Sequence, residues 1–352
     1  ECGSTISFLT GHEDLTKEEL RVDFSKFAQV GGTLCIYMGM SKLEEIVEKL
    51  LDGGMSPDIP SAVVSNGTLP SQKKIISSLK DLVSSTKNAG LGAPAIVFIG
   101  NAIGRTGDKA NWFEKRPLFG RKLVLTRPTG QVSKFKEKLE QLGAEVMELP
   151  LIKILPSEDK KLIAEVFAGI ATYEWAVFTS ANGAREFMRL FFLAYGDIRS
   201  FGPMRIACVG ESTAEVFRSH CLEVEIVAEK STAENLAKDL VATDSLDSAN
   251  VLVVTGNRNR EVLVQMLEDI GHAIVDTLPL YETDFTDVTD AVDLKKFREL
   301  GADAIIFTSS STALSYIEQE DDLILDQEAI KPIICSFGPE TSKTLSENEL
   351  TV

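Results

Sequence analysis

Two hydrophobic patterns alternate along the chain. Short runs of apolar and β-branched residues predict buried strands, whereas apolar residues that recur every three or four positions predict helices with one apolar face. The clearest predicted strands are Thr33–Tyr37, Ala95–Ile99, Lys122–Thr126, Arg205–Val209, Val251–Thr255, Asp303–Phe307 and Pro332–Phe337. Two helical stripes consist of Leu43, Ile46, Val47, Leu50 and Leu51, and of Leu263, Met266, Leu267 and Ile270. This alternation predicts an α/β fold with mostly parallel sheets.

The region after residue 120 contains an internal repeat. Leu123–Thr126 matches Leu252–Thr255, and Phe178–Ser180 matches Phe307–Ser309, both at an offset of 129 residues. Three further matches, at offsets of 128 or 129, pair Leu139–Gly143 with Leu267–Gly271, Leu149–Leu151 with Leu278–Leu280, and Gly210 and Thr213 with Gly338 and Thr341. Because the five matches keep one order and nearly one offset, the sequence predicts two copies of one α/β unit.

Composition and charge narrow the class of protein. Hydrophobic residues make up 44% of the 352 and charged residues 25%, which is typical of globular domains and unlike collagen-like or disordered chains. The formal net charge of −17 disfavours nonspecific binding to nucleic acid or to an anionic membrane, because both need a positive field. No apolar run reaches the roughly 18 residues of a membrane helix. We therefore expect a soluble protein of two or three domains that binds a small molecule at a local site.

Cysteine and histidine usage points away from thiol and metal chemistry. The five cysteines are odd in number and include no CxxC, so we expect buried thiols and a reducing, cytoplasmic environment. The three histidines lie far apart, with neither HExxH nor a paired cysteine, so we expect no metal site.

Matched pairs of predicted strand-to-helix turns carry hydroxyl groups. In an open α/β sheet, ligands bind at the carboxyl ends of the strands, where the free N–H groups of a helix start suit carboxylates and phosphates. The same hydroxyl residues could be helix N-caps and nothing more. Because the turns come in pairs, we favour a binding site for a large anion. The candidate residues are Thr179, Ser180 and Thr213 in the first copy and Ser309 and Thr341 in the second.

Two further positions differ between the copies. One turn of the second copy carries Asn257 and Arg258, where the first copy carries Arg127. Arginine binds carboxylates through two parallel hydrogen bonds, although a solvated helix start would have the same sequence. Tyr281 stands where the first copy has Ile152. Its phenol could donate a proton to a leaving hydroxyl, whereas on spacing alone a structural tyrosine is the better interpretation.

Common catalytic loops do not follow the predicted strands. The sequence contains no GxSxG, Walker loop or GxGxxG in that position, which weakens the hydrolase, nucleotidase and dinucleotide-enzyme interpretations. Taken by themselves, the residues predict a two-lobed anion-binding protein. They leave open whether it is an enzyme or a noncatalytic receptor for a small anion.

Several short motifs after residue 117 resemble, in order and spacing, those of uroporphyrinogen-III synthase, an enzyme of tetrapyrrole synthesis. They are Leu125–Pro128, Phe178–Ser180, Val209–Gly210 with Thr213, Thr255–Asn257, Leu280–Thr283, Phe307–Ser309 and Gly338–Thr341. The resemblance covers residues 117–352 and implies two similar parallel-sheet lobes, joined by two crossing strands formed by the Leu-Pro-Leu segments. One lobe would combine 117–152 with 284–352, and the other would contain 158–278.

This resemblance implies a lyase that cyclises hydroxymethylbilane to uroporphyrinogen III, with inversion of the last pyrrole ring and loss of water. Tyr281 would assist departure of the hydroxyl group. The reaction would need no cofactor and no metal, and the only partner would be the tetrapyrrole. The implied substrate-binding residues are Thr179, Ser180, Thr213, Arg127, Asn257, Arg258, Ser309 and Thr341.

Residues 5–104 resemble the carboxyl half of uroporphyrinogen-III C-methyltransferase. The motifs are Thr10–Glu13, Gly31–Thr33, Tyr37–Gly39, Asn66–Thr68 and Pro94–Ala95. By this resemblance Met38 and Gly67 are S-adenosylmethionine contacts, whereas from sequence alone they are a strand-end core residue and a turn glycine. The glycine-rich cofactor loop of that family is not in this sequence, so we expect methyltransferase activity only in a full-length, multifunctional enzyme. The expected division is 1–104, a linker at 105–116, and 117–352.

Overall fold

The computed structural model describes residues 5–11, 22–105, 111–128, 133–230, 232–257 and 261–352. The chain forms two compact units. Unit 1 consists of Glu1–Leu149, Val288–Ser310 and Glu320–Val352, and unit 2 consists of Pro150–Asp287 and Ser311–Gln319.

The amino-terminal part of unit 1 is a five-stranded sheet in the order β1-β2-β5-β3-β4. Its strands are β1 Ile6–Thr10, β2 Thr33–Tyr37, β3 Pro60–Ser65, β4 Lys73–Ser78 and β5 Ala95–Ile99. Among the described strands of this sheet, β1 and β2 alone pair in parallel, so the prediction of mostly parallel sheets is wrong for this region. The short link between β3 and β4 explains part of the difference, because a parallel pair needs a crossover of a dozen or more residues.

Three helices cover one face of this sheet. They are α1 Phe24–Val30, α2 Leu43–Asp52 and α3 Leu82–Asn88. The predicted stripe of α2 is buried at Leu43, Ile46, Val47 and Leu50. These side chains share one core with Leu34 and Ile36 of β2, so the apolar face of α2 fixes the helix on the sheet.

The rest of unit 1 is a four-stranded, fully parallel sheet in the order β15-β14-β6-β7. Its strands are β6 Lys122–Leu125, β7 Glu145–Glu148, β14 Ala304–Phe307 and β15 Ile333–Ser336. The helices of this region are α4 Ser133–Gln141, α10 Leu294–Leu300 and α12 Pro339–Glu347. The helix α11 Ser310–Glu318 follows β14 but belongs, from Ser311 onward, to unit 2.

Unit 2 is built on a six-stranded sheet in the order β11-β10-β9-β12-β13-β8. The strands are β8 Ile152–Pro156, β9 Trp175–Phe178, β10 Arg205–Cys208, β11 Ile226–Val227, β12 Asn250–Gly256 and β13 Ile274–Phe285. The helices are α5 Lys160–Ala168, α6 Ala181–Tyr195, α7 Glu211–Arg218, α8 Ala233–Val241 and α9 Val262–Asp269. All pairs are parallel except β13 with β8.

The Leu-Pro-Leu segments have different structures. Leu278–Leu280 lies inside β13, as predicted. Leu149–Leu151 is not in a strand and links β7 to β8, which corrects the prediction for the first segment.

The two parallel sheets have the same strand order. At the repeat offset, β10, β9, β12 and β13 of unit 2 correspond to β15, β14, β6 and β7 of unit 1. Each sheet therefore combines the beginning of one repeat copy with the end of the other. The predicted repeat and the predicted pair of similar α/β lobes are confirmed.

The core of unit 2 holds α6 firmly on the sheet. Phe187 and Phe191 of α6 are fully buried and share a cluster with Phe178 of β9 and Phe217 of α7. The Phe178 and Phe217 ring centroids lie 4.4 Å apart. Burial of each such side chain stabilises the fold by roughly 1.5–3 kcal/mol. The start of α6 is thereby held close to the ends of β9 and β12.

The four described cysteines are free thiols. Cys35 and Cys208 are buried, as predicted, and burial raises the pKa of Cys208 to about 12. Cys335 is half-buried on the edge strand β15, and Cys221 is exposed in the turn after α7. The prediction of buried thiols is therefore wrong for these last two.

No helix in the described part of the chain is long and apolar enough to cross a membrane. Likewise, the described residues contain no group of three or more histidine, cysteine or acidic side chains able to hold a metal ion.

Candidate functional site

The carboxyl edge of the unit 2 sheet gathers most of the predicted first-copy residues. Strands β9, β10 and β12 run parallel and end side by side, so the segments that follow them lie at one edge. Thr179 and Ser180 follow β9, Gly210 follows β10, and Asn257 follows β12. This is the edge at which open α/β sheets bind their ligands.

Ser180 is the N-cap of α6. Its backbone is extended, and its Oγ accepts a hydrogen bond from the Gly183 N–H at 3.1 Å. The same Oγ donates a hydrogen bond to the phenol oxygen of Tyr281 at 2.9 Å. The N-cap interpretation of Ser180 is therefore confirmed, and the same hydroxyl also contacts Tyr281, whereas substrate binding by Ser180 stays a prediction.

The Tyr281 ring occupies a space that only a glycine leaves open. The pairing of β12 with β13 shifts by one residue after Thr255, which places Gly256 directly beside Tyr281. A Cβ at position 256 would lie 2.6 Å from Cε2 and Cζ of the ring and 2.9 Å from its hydroxyl oxygen. Such distances are far below van der Waals contact, so a side chain at 256 and this ring position exclude each other.

Burial sets the protonation of this phenol. Tyr281 is half-buried, and desolvation raises its pKa above the ordinary value, while the hydrogen bond from Ser180 opposes part of that rise. The phenol is therefore neutral at physiological pH and carries a proton that it can donate.

The other predicted residues of this edge are engaged with the backbone. The Asn257 N–H donates to the Tyr281 carbonyl at 3.1 Å, and its Oδ1 accepts from the Thr283 N–H at 2.9 Å. The Thr179 hydroxyl donates to the Val254 carbonyl at 3.3 Å. Thr213 is buried in the first turn of α7, with its N–H donating to Gly210 at 3.0 Å. Asn257 thus fixes the strand at Tyr281 and two residues beyond it.

The predicted residues of unit 1 lie at the carboxyl edge of the four-stranded sheet. Arg127 follows β6, and Ser309 lies between β14 and α11. Thr341 is buried in the first turn of α12, after a left-handed Gly338 with φ of 83°. Arg258, which was predicted to bind substrate, lies outside the described residues.

A sequence profile of the uroporphyrinogen-III synthase HemD family matches residues 133–352, more than half of the chain. The chain belongs to the uroporphyrinogen-III synthase family. Among its relatives, the porphyrin biosynthesis protein HemD of Ruminiclostridium josui is 29% identical over 92% of this chain and 63% of its own length. A uroporphyrinogen-III synthase of Synechococcus elongatus is 32% identical over 66% of this chain and 88% of its own length.

Other relatives extend beyond the matched region. A uroporphyrinogen-III C-methyltransferase of Bacillus subtilis is 26% identical over 71% of this chain and 52% of its own length. The chain therefore spans about half to two thirds of the length of the Bacillus and Ruminiclostridium relatives. A crystal structure of a mutant uroporphyrinogen III synthase from Thermus thermophilus is 16% identical, with a TM-score of 0.46, over 66% of this chain and 90% of that one.

The amino-terminal region of this synthase-family chain matches a second family. A profile of the tetrapyrrole (corrin/porphyrin) methylases covers residues 1–83, which confirms the predicted methylase fragment. Met38 follows β2 and Gly67 lies in the turn after β3, at the same edge of the five-stranded sheet. Met38 has φ of 52° and is 62% exposed, so it is not the core residue that its position at a strand end suggested.

Two glycines next to Tyr281 were missed by sequence reasoning. Gly256 makes room for the Tyr281 ring, and a Cβ at Gly183 would lie 3.6 Å from Cε1 of the same ring. The repeat contained a signal for both. At the offset of 129, Gly256 aligns with Arg127 and Gly183 with Thr312, so both glycines stand where the other copy has a side chain.

A separate open groove of about 450 Å³ lies between α5 and α6. Its walls are mostly apolar and include Ile163, Phe167, Leu190 and Leu193, with Lys160 among the polar lining residues. None of the predicted site residues that the structure describes lines this groove.

Proposed function

We propose that this chain is a uroporphyrinogen-III synthase that cyclises hydroxymethylbilane to uroporphyrinogen III. The carbon–oxygen bond of the hydroxymethyl group breaks and the N–H proton of the same pyrrole is lost, which gives an azafulvene and water and balances the proton given to the leaving hydroxyl. The last pyrrole ring then inverts through a spiro intermediate before the macrocycle closes. The match of residues 133–352 to the synthase family carries this proposal, because it includes most of the first repeat copy, all of the second and the Tyr281 site.

The geometry around Tyr281 supports a proton-donor role in the first step. Its phenol is neutral, receives a hydrogen bond from Ser180, and stands at the ligand-binding edge of a parallel sheet. When the hydroxyl leaves, its oxygen gains negative charge, and a proton from Tyr281 converts it to water. No metal or organic cofactor takes part in this proposal.

The substrate's carboxylates provide the binding energy in this proposal. We assign them to the turn N–H groups and hydroxyls at the carboxyl edges of the two parallel sheets, together with Arg127 and Arg258. Such a local site suits a chain whose formal net charge is −17, because the protein as a whole repels anions. A noncatalytic receptor gains no support from the comparisons.

The methylase region extends the proposal to the larger protein. We propose a methylase fragment at 1–104, a linker at 105–116, and synthase lobes of 117–152 with 284–352 and of 158–278. In a full-length, cytoplasmic, multifunctional enzyme, Met38 and Gly67 would contribute one wall of an S-adenosylmethionine site. The methyltransferase would then use the product of the synthase.

The test is a product assay with the purified chain and hydroxymethylbilane. Oxidation of the products to porphyrins, followed by chromatographic separation of the isomers, measures type III against the symmetrical isomer formed by closure without inversion. We expect the type III isomer to dominate at catalytic protein concentrations. Substrate binding with only the symmetrical isomer produced would contradict the synthase proposal.

A further inference from the structure

The Ser180 hydroxyl has two partners within the protein. Its oxygen accepts from the Gly183 N–H at 3.1 Å, and its hydrogen is donated to the Tyr281 phenol oxygen at 2.9 Å. The sequence predicted Ser180 as a direct contact of the substrate. In the structure its hydrogen is already used, so it lies between the start of α6 and the phenol.

We infer that Ser180 is a positioning residue that directs the Tyr281 proton outward and stabilises the phenol oxygen as that proton leaves. This inference deepens the proposed function and rests on it for the identity of the reaction. A phenol that receives a hydrogen bond from Ser180 keeps its own hydrogen for another acceptor. Tyr281 therefore presents a donor, rather than an acceptor, to the departing hydroxyl.

The contact strengthens as the reaction proceeds. While Tyr281 gives up its proton, its oxygen becomes negative, and a hydrogen bond to a charged oxygen is worth more than one to a neutral oxygen. The Gly183 N–H, at the positive end of the 15-residue helix α6, polarises the Ser180 hydroxyl in the same direction. Ser180 thus acts mainly on the transition state, and its loss falls on kcat rather than on KM.

The other repeat copy supports this assignment. Ser309 matches Ser180 at the offset of 129, but Ile152 stands where Tyr281 would be. A serine at this turn therefore occurs without a phenol. At the matching positions Arg127, Ile152 and Ser309, the serine is present without the glycine and the tyrosine.

The experiment compares Ser180→Ala, Ser180→Thr and Thr232→Ala. Thr232 is the matched control, since it caps α8 by accepting from the Asn235 N–H at 3.3 Å and lies outside the site. We expect Ser180→Ala to lower kcat about 10-fold or more with little change in KM, because it removes a hydrogen bond to a developing charge. Ser180→Thr should restore most of the loss, and Thr232→Ala should lower only the melting temperature.

The same change in a Tyr281→Phe background separates the two roles of Ser180. A residue that acts only through the phenol has no further effect once the phenol hydroxyl is gone, so kcat should change less than about 2-fold. An equal loss of kcat in both backgrounds, or a rise in KM alone, would assign Ser180 to the substrate and overturn the inference.

A spectroscopic measurement tests the contact without any activity. The ¹³Cζ resonance of Tyr281, assigned by its disappearance in Tyr281→Phe, reports hydrogen bonding at the phenol oxygen. We expect it to shift in Ser180→Ala, to return in Ser180→Thr, and to stay in place in Thr232→Ala. An unshifted resonance in Ser180→Ala overturns the inference, whereas this shift in a protein that forms no type III product contradicts only the proposed function.

Discussion

The carboxyl edges of the two parallel sheets differ most at one pair of neighbouring strands. In unit 2, Gly256 lies beside Tyr281, whose ring fills the space that a side chain would take. The matching positions of the repeat are Arg127, which follows β6 in unit 1, and Ile152, which lies in β8 of unit 2. The strand order is shared, so the fold requires neither the glycine nor the tyrosine. Under the proposed function, the unit 2 edge is specialised for proton donation, whereas the unit 1 edge carries the cation Arg127.

The buried threonines just before these positions also differ. Thr126 is buried, and its hydroxyl donates to the Ile306 carbonyl at 2.9 Å. Thr255, its repeat partner, is equally buried, but its hydroxyl has no hydrogen-bond partner among the described residues. A buried hydroxyl without a partner costs stability. At this position, the edge that carries Tyr281 thus has a buried hydroxyl without a hydrogen bond, whereas its counterpart does not. Departures of this kind from ideal packing are common at functional sites.

The largest effect is expected from Gly256→Ala. It gives the unit 2 edge a side chain at the position where the unit 1 edge has Arg127. The added Cβ forces the Tyr281 ring away from Ser180, and a misplacement of about 1 Å can cost 10²-fold in rate. Formation of type III product should therefore fall about 10²-fold or more. Overpacking should also lower the free energy of unfolding by about 1–3 kcal/mol.

Gly169→Ala is the matched control for that variant. A Cβ at Gly169 would meet its nearest atoms at 3.7–3.9 Å, an ordinary contact distance. Kinetics and thermal melts of both variants check the prediction. If Gly256→Ala keeps wild-type activity, the glycine is not needed to hold the Tyr281 ring in position. The proposed specialisation of this edge would then be wrong.

A pair of threonine substitutions should change stability in opposite directions. Thr126→Val removes a hydrogen bond and should lower the free energy of unfolding by about 1 kcal/mol. Thr255→Val removes a hydroxyl that has no partner and should raise it by a similar amount. Urea denaturation of the two variants measures both changes. Changes of the same sign would mean that the two hydroxyls do not differ in their hydrogen bonding.

The smallest effect concerns Asp303, which joins the starts of β14 and β6 in unit 1. Burial raises the pKa of this carboxyl, but hydrogen bonds from the Lys122 N–H at 2.7 Å and from Arg121 at 2.8 Å outweigh burial and leave the pKa lowered. The ionised form therefore stabilises the fold above the unfolded-state pKa of about 3.9, and this contribution is lost as the pH falls through the lower folded-state pKa.

Asp303→Asn should accordingly destabilise the protein most at neutral pH, by less than about 1 kcal/mol because Arg121 is largely exposed. The difference from wild type should shrink at acid pH, as measured by denaturation at a series of pH values. The counterpart in unit 2 is Glu174, whose Oε1 accepts from the Asn250 N–H at 3.4 Å, and Glu174→Gln should have a smaller effect. A pH-independent difference for Asp303→Asn would show that its charge does not matter.

The sequence predicted those features that depend on local pattern. Thr33–Tyr37 and Ala95–Ile99 are strands with the predicted bounds, because buried strands appear as continuous apolar runs. Tyr281 was found because the repeat provides an internal comparison. The space for the Tyr281 ring beside Gly256 was not predicted, because it depends on a one-residue shift in the pairing of β12 with β13. Likewise, no local pattern indicates that Ser180 contacts a residue 101 positions away.

The most direct test of the proposed specialisation is the single-turnover rate of Tyr281→Phe against wild type. The change removes one hydroxyl, and we expect the ring to keep its position beside Gly256. We expect consumption of hydroxymethylbilane to slow by about 10²-fold, the lower end of the usual range for a general acid, because this substrate ionises readily. KM and the melting temperature should stay close to wild type. Equal rates for the two proteins would contradict the account and leave Tyr281 as a packing residue.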